Sequence, residues 1–211
     1  MKESYVIGIA GGSGSGKTTF IKQLKARFSK DEICVISQDN YYKSRDEQEM
    51  DAKGIKNFDL PSSLNLDEYL ADINRLSQGE SVQRLEYTFN NELKDPGMIA
   101  LDPAPIIIAE GLFVFCNESL KKVYNLKIMI EATDDKKIIR RIKRDRIERN
   151  YPLEDVLYRY EHHVVPSYFQ YIEPHMQDAD IIINNNESFN EGLDVLVAFI
   201  KSKLEEMNVS K

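Results

Sequence analysis

A glycine-rich run close to the start of the sequence has the spacing of a phosphate-binding loop. Residues 11–18 read GGSGSGKT, which fits the pattern G-x-x-x-x-G-K-[ST]. Glycines let backbone N–H groups turn inward around a phosphate, and the N-terminus of the following helix adds about half a positive charge. The loop therefore predicts binding of a nucleoside triphosphate. The predicted nucleotide-binding residues are Gly11, Gly12, Ser13, Gly14, Ser15, Gly16, Lys17, Thr18 and Thr19.

Four side chains in or near this loop are suited to phosphate and metal chemistry. Lys17 can reach the β- and γ-phosphates, and the Thr18 hydroxyl can bind Mg²⁺. Asp39 and Glu110 each follow a predicted strand, so both should lie at the carboxyl edge of a parallel sheet, where ligands bind. We predict that Glu110 acts on the metal side, through the ion or its water. Asp39 is predicted to accept a proton from an attacking hydroxyl.

A basic segment in the second half of the chain is a candidate phosphate clamp. Residues 136–149 contain eight basic residues and two acidic ones. Helical spacing places Arg140, Arg141 and Arg144 on one face, where they can close over a triphosphate. Nucleic-acid binding is the weaker interpretation, because no aromatic residue is interleaved in the run. The residues predicted to form a solvated face are Lys136, Lys137 and Lys143.

Two further groups have ordinary structural interpretations. Asp59 lies two residues before a proline, so it is either a site residue or the acceptor of a turn. His162 and His163 are adjacent and point apart on a helix, and His175 stands alone. We therefore do not expect a histidine metal site and predict ordinary polar or partly buried roles.

The elements that must position these residues follow from hydrophobic periodicity. Short apolar runs alternate with helix-period segments, which predicts a parallel sheet with right-handed crossovers in one domain over residues 1–211. Residues 81–101 break the alternation and predict an antiparallel excursion with its turn near residues 95–97. Asn65 and Glu68 stand at capping-box spacing. The predicted strands are 5–10, 33–37, 105–109, 126–131 and 180–184, and the predicted helices are 17–28, 66–78 and one opening at Ser188.

Composition excludes several classes of protein. The chain has 211 residues, with 28 Lys and Arg against 35 Asp and Glu, and the net charge of −7 argues against a general nucleic-acid or membrane coat. Cys34 and Cys116 lie among apolar residues and are predicted to be buried thiols rather than a disulfide. No run approaches the roughly 20 apolar residues of a membrane span, and the N-terminal apolar run is too short for a signal peptide. We expect a soluble, cytoplasmic protein.

These segments together resemble the uridine kinase group of the phosphoribulokinase/uridine kinase family, and the likeness spans nearly the whole chain. The resemblance implies a P-loop-kinase-type α/β sheet flanked by helices, a small antiparallel excursion and a helical lid at about residues 136–160. It implies an enzyme that uses ATP or GTP with Mg²⁺ to phosphorylate the 5′-hydroxyl of uridine or cytidine, as a possible homotetramer or dimer. The segments that carry it are residues 11–18, 37–42, 57–61, 87–89, 107–111 and 140–149.

The resemblance also implies roles for individual residues. Thr18 and Glu110 match the magnesium positions, and Arg149 matches a lid arginine that approaches the phosphates. Asp59 and Tyr42 fall where the nucleoside is held, with Asp59 on the ribose hydroxyls. The implied catalytic residues are Asp39, Lys17 and Arg144. The implied substrate-binding residues are Asp59, Tyr42, Tyr87, Phe89, Arg141, Glu92 and Arg159.

The chain departs from the family pattern in the part that reads the base. Thr88 replaces an aspartate, and Glu92 stands where the family has a histidine that reads the pyrimidine. Asn150 and Tyr151 replace a glycine and an arginine, and Arg159 replaces a glutamine, so a Glu92–Arg159 ion pair is one interpretation. The alternatives are a kinase of another small hydroxyl compound, such as a sugar phosphate or a pantothenate-like molecule, and a non-catalytic nucleotide-binding regulator.

Overall fold

The computed structural model describes residues 3–88, 96–147 and 149–209. The strands are β1 (Tyr5–Ala10), β2 (Ile33–Ser37), β3 (Val82–Leu85), β4 (Met98–Leu101), β5 (Ile106–Gly111), β6 (Leu126–Glu131) and β7 (Ile181–Asn184). Among the described residues, five strands pair in parallel in the order β2-β5-β1-β6-β7. β3 and β4 form a separate antiparallel pair, which confirms the predicted excursion.

Helices cover both faces of the parallel sheet. They are α1 (Lys17–Lys25), α2 (Leu66–Ser77), α3 (Glu118–Val123), α4 (Asp134–Ile147), α5 (Leu153–Arg159), α6 (Val165–Ser167) and α7 (Asn190–Val209). Shorter helical turns lie at Gln38–Tyr41, Arg45–Glu47 and Pro61–Ser63. Helical backbone also flanks α6, at Tyr160–Val164, Tyr168–Ile172 and Glu173–Asp178, so helical backbone runs from α5 almost to β7.

The core consists of two apolar layers, one on each face of the sheet. β5 is buried at every position, as expected for a strand that is covered on both faces. One layer packs α2 and the loop after β5 against the sheet, and the other packs α1 and α7 against it. On α7 the buried apolar residues include Leu193, Leu196, Val197, Ile200 and Leu204.

Several predicted element ends were wrong. Glu110 lies inside β5 rather than after it, and the first helix ends at Lys25 rather than at residue 28. The capping box of α2 does not form, because the Glu68 carboxylate accepts a hydrogen bond from Arg84 at 2.8 Å instead. The predicted turn near residues 95–97 lies partly outside the described residues, at Asp95.

The two cysteines are free thiols, as predicted, and Cys34 is buried as predicted, whereas Cys116 is only partly buried. Within the described part of the chain, every helix is too short or too polar to cross a membrane.

Candidate active site

The glycine-rich loop joins the end of β1 to the start of α1. Gly14 and Gly16 have φ angles of 83° and 96°, in the left-handed region that favours glycine. A Cβ atom at Gly14 would collide with the backbone carbonyl of Lys137, and one at Gly16 would collide with the side-chain amide of Asn185. The close approach of these neighbours leaves room only for glycine, and the resulting cradle at the start of α1 fits a phosphate group.

Two side chains outside the loop support it, Asn185 directly after β7 and Arg140 on α4. Asn185 Nδ2 donates to the Ser15 carbonyl at 2.7 Å, and Arg140 Nη2 donates to the Asn185 carbonyl at 2.7 Å. Arg140 was grouped with Arg141 and Arg144 as a candidate for phosphate contact, but its guanidinium is used here to support the loop. The Ser15 hydroxyl is buried and has no hydrogen-bond partner among the described residues.

Lys17 lies between two carboxylates at the edge of the sheet. Its ammonium donates to Glu110 Oε2, and Ser37 pairs in register with Glu110, so Asp39 follows two residues beyond that pair. Burial would lower the pKa of Lys17, but the carboxylates of Glu110 and Asp39 outweigh burial and raise the pKa above its usual value. Lys17 is therefore a charged group at the position expected for the β- and γ-phosphates.

Asp39 has the electrostatic environment of a general base. Burial raises the pKa of its carboxyl, and the charge of Glu110 raises it further, while Lys17, Arg149 and Arg144 act in the opposite direction. The Asp39 backbone N–H donates to the Ser37 hydroxyl at 3.3 Å, which fixes the turn after β2. A carboxylate with a raised pKa accepts a proton more readily than a fully solvated one.

The basic segment forms a cluster of guanidinium groups around one buried carboxylate. Asp145 has a side chain that is 4% exposed and lies 2.8 Å from Arg144 Nε, 3.2 Å from Arg141 Nε and 3.3 Å from Arg149 Nη1. Burial lowers the pKa of Arg149, and the neighbouring Arg144 lowers it further. Arg141 Nη1 also donates to the Ser13 hydroxyl at 2.7 Å. An excess of positive charge therefore stands beside the phosphate-binding loop, where it suits an anionic ligand.

Tyr42, which directly follows the helical turn that contains Asp39, belongs to a group of neighbouring aromatic rings. The Tyr42 ring lies 4.8 Å from the Tyr87 ring and 6.1 Å from the Phe58 ring, centroid to centroid. The turn before Asp59 is closed by Asn57 Oδ1, which accepts the Asp59 N–H at 2.9 Å. The Asp59 carboxylate itself lies 3.9 Å from Arg141 Nη1. The turn therefore uses Asn57 as its side-chain acceptor, and the Asp59 carboxylate faces Arg141 of α4.

The remaining predicted substrate residues are only partly described. Arg159 Nη1 donates to the Lys56 carbonyl at 3.0 Å, which places it next to the segment that carries Asp59. Phe89 and Glu92 lie outside the described residues, and the proposed Glu92–Arg159 ion pair with them.

Residues 6–189 match the model of the phosphoribulokinase/uridine kinase family. The chain belongs to this family. Its membership makes the chain a kinase, a phosphotransferase with an alcohol group as acceptor, in keeping with the loop, the acidic pair and the arginines described above.

Individual relatives agree with this placement. The chain is 36% identical over 196 residues to the uridine kinase of Brevibacillus brevis, covering 93% of this chain and 92% of that protein. It is 31% identical to the uridine kinase-like protein 5 of Arabidopsis thaliana over its whole length, but it spans only 45% of that longer protein. A structure described as a putative fructose transport system kinase from Silicibacter superposes with a TM-score of 0.67 at 17% identity, covering 86% and 90% of the two chains, which shows a shared fold.

The structure places two further residues, Lys137 and Gln38, in supporting contacts that sequence reasoning missed or misjudged. Lys137 was predicted to face solvent, and this was wrong: its side chain is 5% exposed and pairs with Asp134 at 2.9 Å and Glu131 at 3.0 Å. Its backbone carbonyl packs against Gly14, so the helix supports the loop at this point. Gln38 Oε1 accepts the N–H of Phe113 at 2.8 Å and thereby ties the turn of Asp39 to the residues after β5. Its position directly before Asp39 is the only signal that the sequence offered.

Proposed function

We propose that this chain is a nucleoside kinase that transfers the γ-phosphoryl group of ATP or GTP to the 5′-hydroxyl of uridine or cytidine, a reaction of pyrimidine salvage in the cytoplasm. The observation that supports the proposal is that Asp39 is an electrostatic neighbour both of Lys17 in the phosphate-binding loop and of Tyr42, whose ring lies 4.8 Å from that of Tyr87. A base in this position would face the bound phosphate donor and could reach the hydroxyl of an acceptor that packs against the aromatic rings. The uridine kinases among the relatives support the choice of acceptor.

In the proposed reaction, different residues take the proton, stabilise the phosphoryl charge and bind the acceptor. The acceptor oxygen forms a bond to the γ-phosphorus while the bond from that phosphorus to the bridging oxygen breaks, and Asp39 takes the hydroxyl proton. Lys17 and the arginines around Asp145 balance the negative charge on the transferred group and on the departing diphosphate. Asp59 binds the ribose hydroxyls, and the lid excludes water that would otherwise hydrolyse the donor.

Thr18 and Glu110 are the residues that would hold Mg²⁺. Both offer the hard oxygen ligands that this ion prefers. Thr18 lies in the first turn of α1 directly after Lys17, and the Glu110 carboxylate accepts a hydrogen bond from the Lys17 ammonium. Bound there, Mg²⁺ would neutralise charge on the β- and γ-phosphates.

A coupled ADP-release assay tests the proposal. ATP and GTP are supplied in turn with Mg²⁺, against uridine, cytidine, other nucleosides, ribulose 5-phosphate and pantothenate. Turnover on uridine or cytidine that Asp39→Asn abolishes is the expected result. Turnover on a different acceptor alone would replace the proposed substrate. Tight nucleotide binding without turnover on any acceptor would point instead to a nucleotide-binding regulator.

The charge on the acceptor side favours one second candidate, a hydroxyl compound that carries an anionic group. Arg141 faces Asp59 at 3.9 Å, and Arg159 lies on the Lys56 carbonyl, so two guanidinium groups border the segment that carries Asp59. A sugar phosphate or a pantothenate-like carboxylate would pair with such groups. The same acceptor panel separates this candidate from the pyrimidine nucleosides.

A further inference from the structure

A buried histidine makes a polar contact outside the phosphate site. His163 is 2% exposed, and its Nε2 lies 2.9 Å from Asp51 Oδ2. The same carboxylate oxygen accepts the hydroxyl of Tyr158 at 2.8 Å. We refer to Asp51, Tyr158 and His163 as the Asp51 cluster. Its members are brought together by the fold, since Asp51 and His163 are 112 residues apart in the sequence.

The other oxygen of Asp51 closes a tight turn in its own loop. Oδ1 accepts the backbone N–H groups of Lys53 and Ile55, each at 2.9 Å, and Gly54 adopts a φ of 75°. Partial burial would raise the pKa of the Asp51 carboxyl, but these hydrogen bonds and those from His163 and Tyr158 hold it well below its usual range. Asp51 is therefore an anion with both oxygens in use.

Two more contacts join the same two segments. Arg159 donates to the Lys56 carbonyl at 3.0 Å, and the ammonium of Lys53 lies 4.4 Å from the centroid of the Tyr158 ring. Side chains from both segments thus attach residues 51–56 to residues 158–163. Phe58 and Asp59 follow directly, so the acceptor side of the site begins where these attachments end.

We propose that the Asp51 cluster positions the acceptor side of the active site. Asp51, Tyr158 and His163 hold the segment that leads to Phe58 and Asp59 at a fixed distance from the helical backbone that follows α5. They are positioning residues, because they act through that segment. The inference rests on the proposed function, in which the acceptor binds at Asp59. A displacement of about 1 Å in a positioning group is enough to lower a rate substantially.

The cluster should influence the acceptor and leave the nucleotide unaffected. The phosphate-binding loop is held by separate contacts, from Asn185 and Arg140 to the Ser15 carbonyl and from Lys137 to Gly14. Breaking the cluster therefore loosens the acceptor segment while the loop keeps its supports. The expected kinetic signature is a change in the KM for the acceptor without a matching change in the KM for ATP.

His163→Phe tests this, with His175→Phe as the matched control. His175 Nδ1 also lies 2.9 Å from a carboxylate, that of Asp178, but both residues sit in the turn Glu173–Asp178, away from the acceptor segment. His163→Phe is expected to raise the KM for the acceptor at least five-fold and to change the KM for ATP less than two-fold. His175→Phe should leave both constants unchanged. His163→Gln, whose amide can still donate to Asp51, should recover part of the loss.

Amide hydrogen exchange of the ligand-free chain gives a second readout that does not depend on the substrate. His163→Phe is expected to increase exchange at residues 51–59 at least ten-fold relative to the wild type and to His175→Phe. If His163→Phe does not fold, Tyr158→Phe removes one hydrogen bond at a partly exposed position and should shift exchange in the same direction.

The outcomes separate the two proposals. Should the wild type phosphorylate a different acceptor, the pyrimidine assignment fails and the cluster is tested with that acceptor. Equal increases in both KM values, or unchanged exchange at residues 51–59, would overturn the positioning role even if uridine proves to be the acceptor.

Discussion

At the scale of single residues, the central feature of the site is a carboxylate whose proton affinity is raised by its surroundings. Asp39 is partly withdrawn from water and stands near Glu110, and both effects disfavour its charged form. The positive charges of Lys17, Arg144 and Arg149 act in the opposite direction and lower the pKa of Asp39. This balance suits a group that must be ionised before the reaction and protonated after it.

Asp39→Asn should abolish phosphoryl transfer while nucleotide binding persists. Asparagine has almost the same shape but cannot accept the proton, so we expect kcat to fall by about 10²–10⁴-fold, the usual contribution of a general base. ADP release measures kcat, and titration calorimetry with a non-hydrolysable ATP analogue measures affinity, which should stay within two-fold. Asp31→Asn, an exposed change shortly before β2, is the control. Undiminished turnover in Asp39→Asn would remove Asp39 from the mechanism.

The raised pKa of Asp39 predicts the acid side of the pH profile. As the pH falls, a growing fraction of Asp39 is protonated and cannot act as a base, so kcat/KM decreases. Because the pKa is raised, the midpoint should lie above the value of about 4 for an ordinary aspartate. Initial rates between pH 4 and pH 9 provide the measurement. A profile that stays flat down to pH 4 would contradict this environment for Asp39.

At the scale of elements, the helical turn Gln38–Tyr41 connects Asp39 to three other parts of the fold. Gln38 accepts the N–H of Phe113 at 2.8 Å, and Asn40 Oδ1 accepts the N–H of Tyr87 at 3.0 Å. Tyr41 donates its hydroxyl to Asp72 on α2 at 2.8 Å. The turn therefore holds Asp39 in place through contacts with the residues after β5, with α2 and with the residues after β3.

Arg84→Met should destabilise this connection more than Arg75→Met does. Both arginines pair with Asp72, whose side chain is 4% exposed, but Arg84 is 24% exposed at 2.5 Å and Arg75 is 49% exposed at 3.3 Å. Losing the less exposed partner, Arg84, should lower the free energy of unfolding by about 1–3 kcal/mol. Losing the exposed partner should cost less than about 1 kcal/mol.

Urea denaturation of the two variants measures the difference, since methionine keeps much of the apolar stem of arginine. Equal losses would mean that Asp72 does not depend on Arg84 and that the small β3–β4 sheet is held by other contacts.

At the scale of the whole molecule, stability comes from two apolar layers rather than from covalent links. Cys34 and Cys116 are free, and burial raises the pKa of each thiol to about 11. Only the thiolate reacts with alkylating reagents, so a raised pKa slows the reaction at pH 8.

Iodoacetamide at pH 8 should therefore label the native chain at least ten-fold more slowly than the chain in urea, and mass spectrometry should then show two labelled cysteines in urea. Reductant should leave the Tm unchanged. Fast labelling of the native chain would show that one of the two thiols is accessible in solution.

The sequence by itself was sufficient wherever a property depends on neighbouring residues. The phosphate-binding loop was predictable because its glycines, lysine and threonine act within one strand–loop–helix unit. The strands were recognisable because burial on both faces requires continuous apolar runs. The same reasoning located Asp39 and Glu110 at the edge of the sheet, although Glu110 proved to lie inside β5.

The tertiary structure decided the partners of charged side chains. A charged run on a helix predicts solvent exposure, yet Lys137 is buried because α4 begins against β6 and the phosphate-binding loop. Glu68 has the spacing of a helix cap but binds Arg84, 16 residues away, and Asp51 meets His163 112 residues away. Local spacing carries no information about such pairs. They depend on which distant elements the fold brings within hydrogen-bonding distance, and only the tertiary structure decides that.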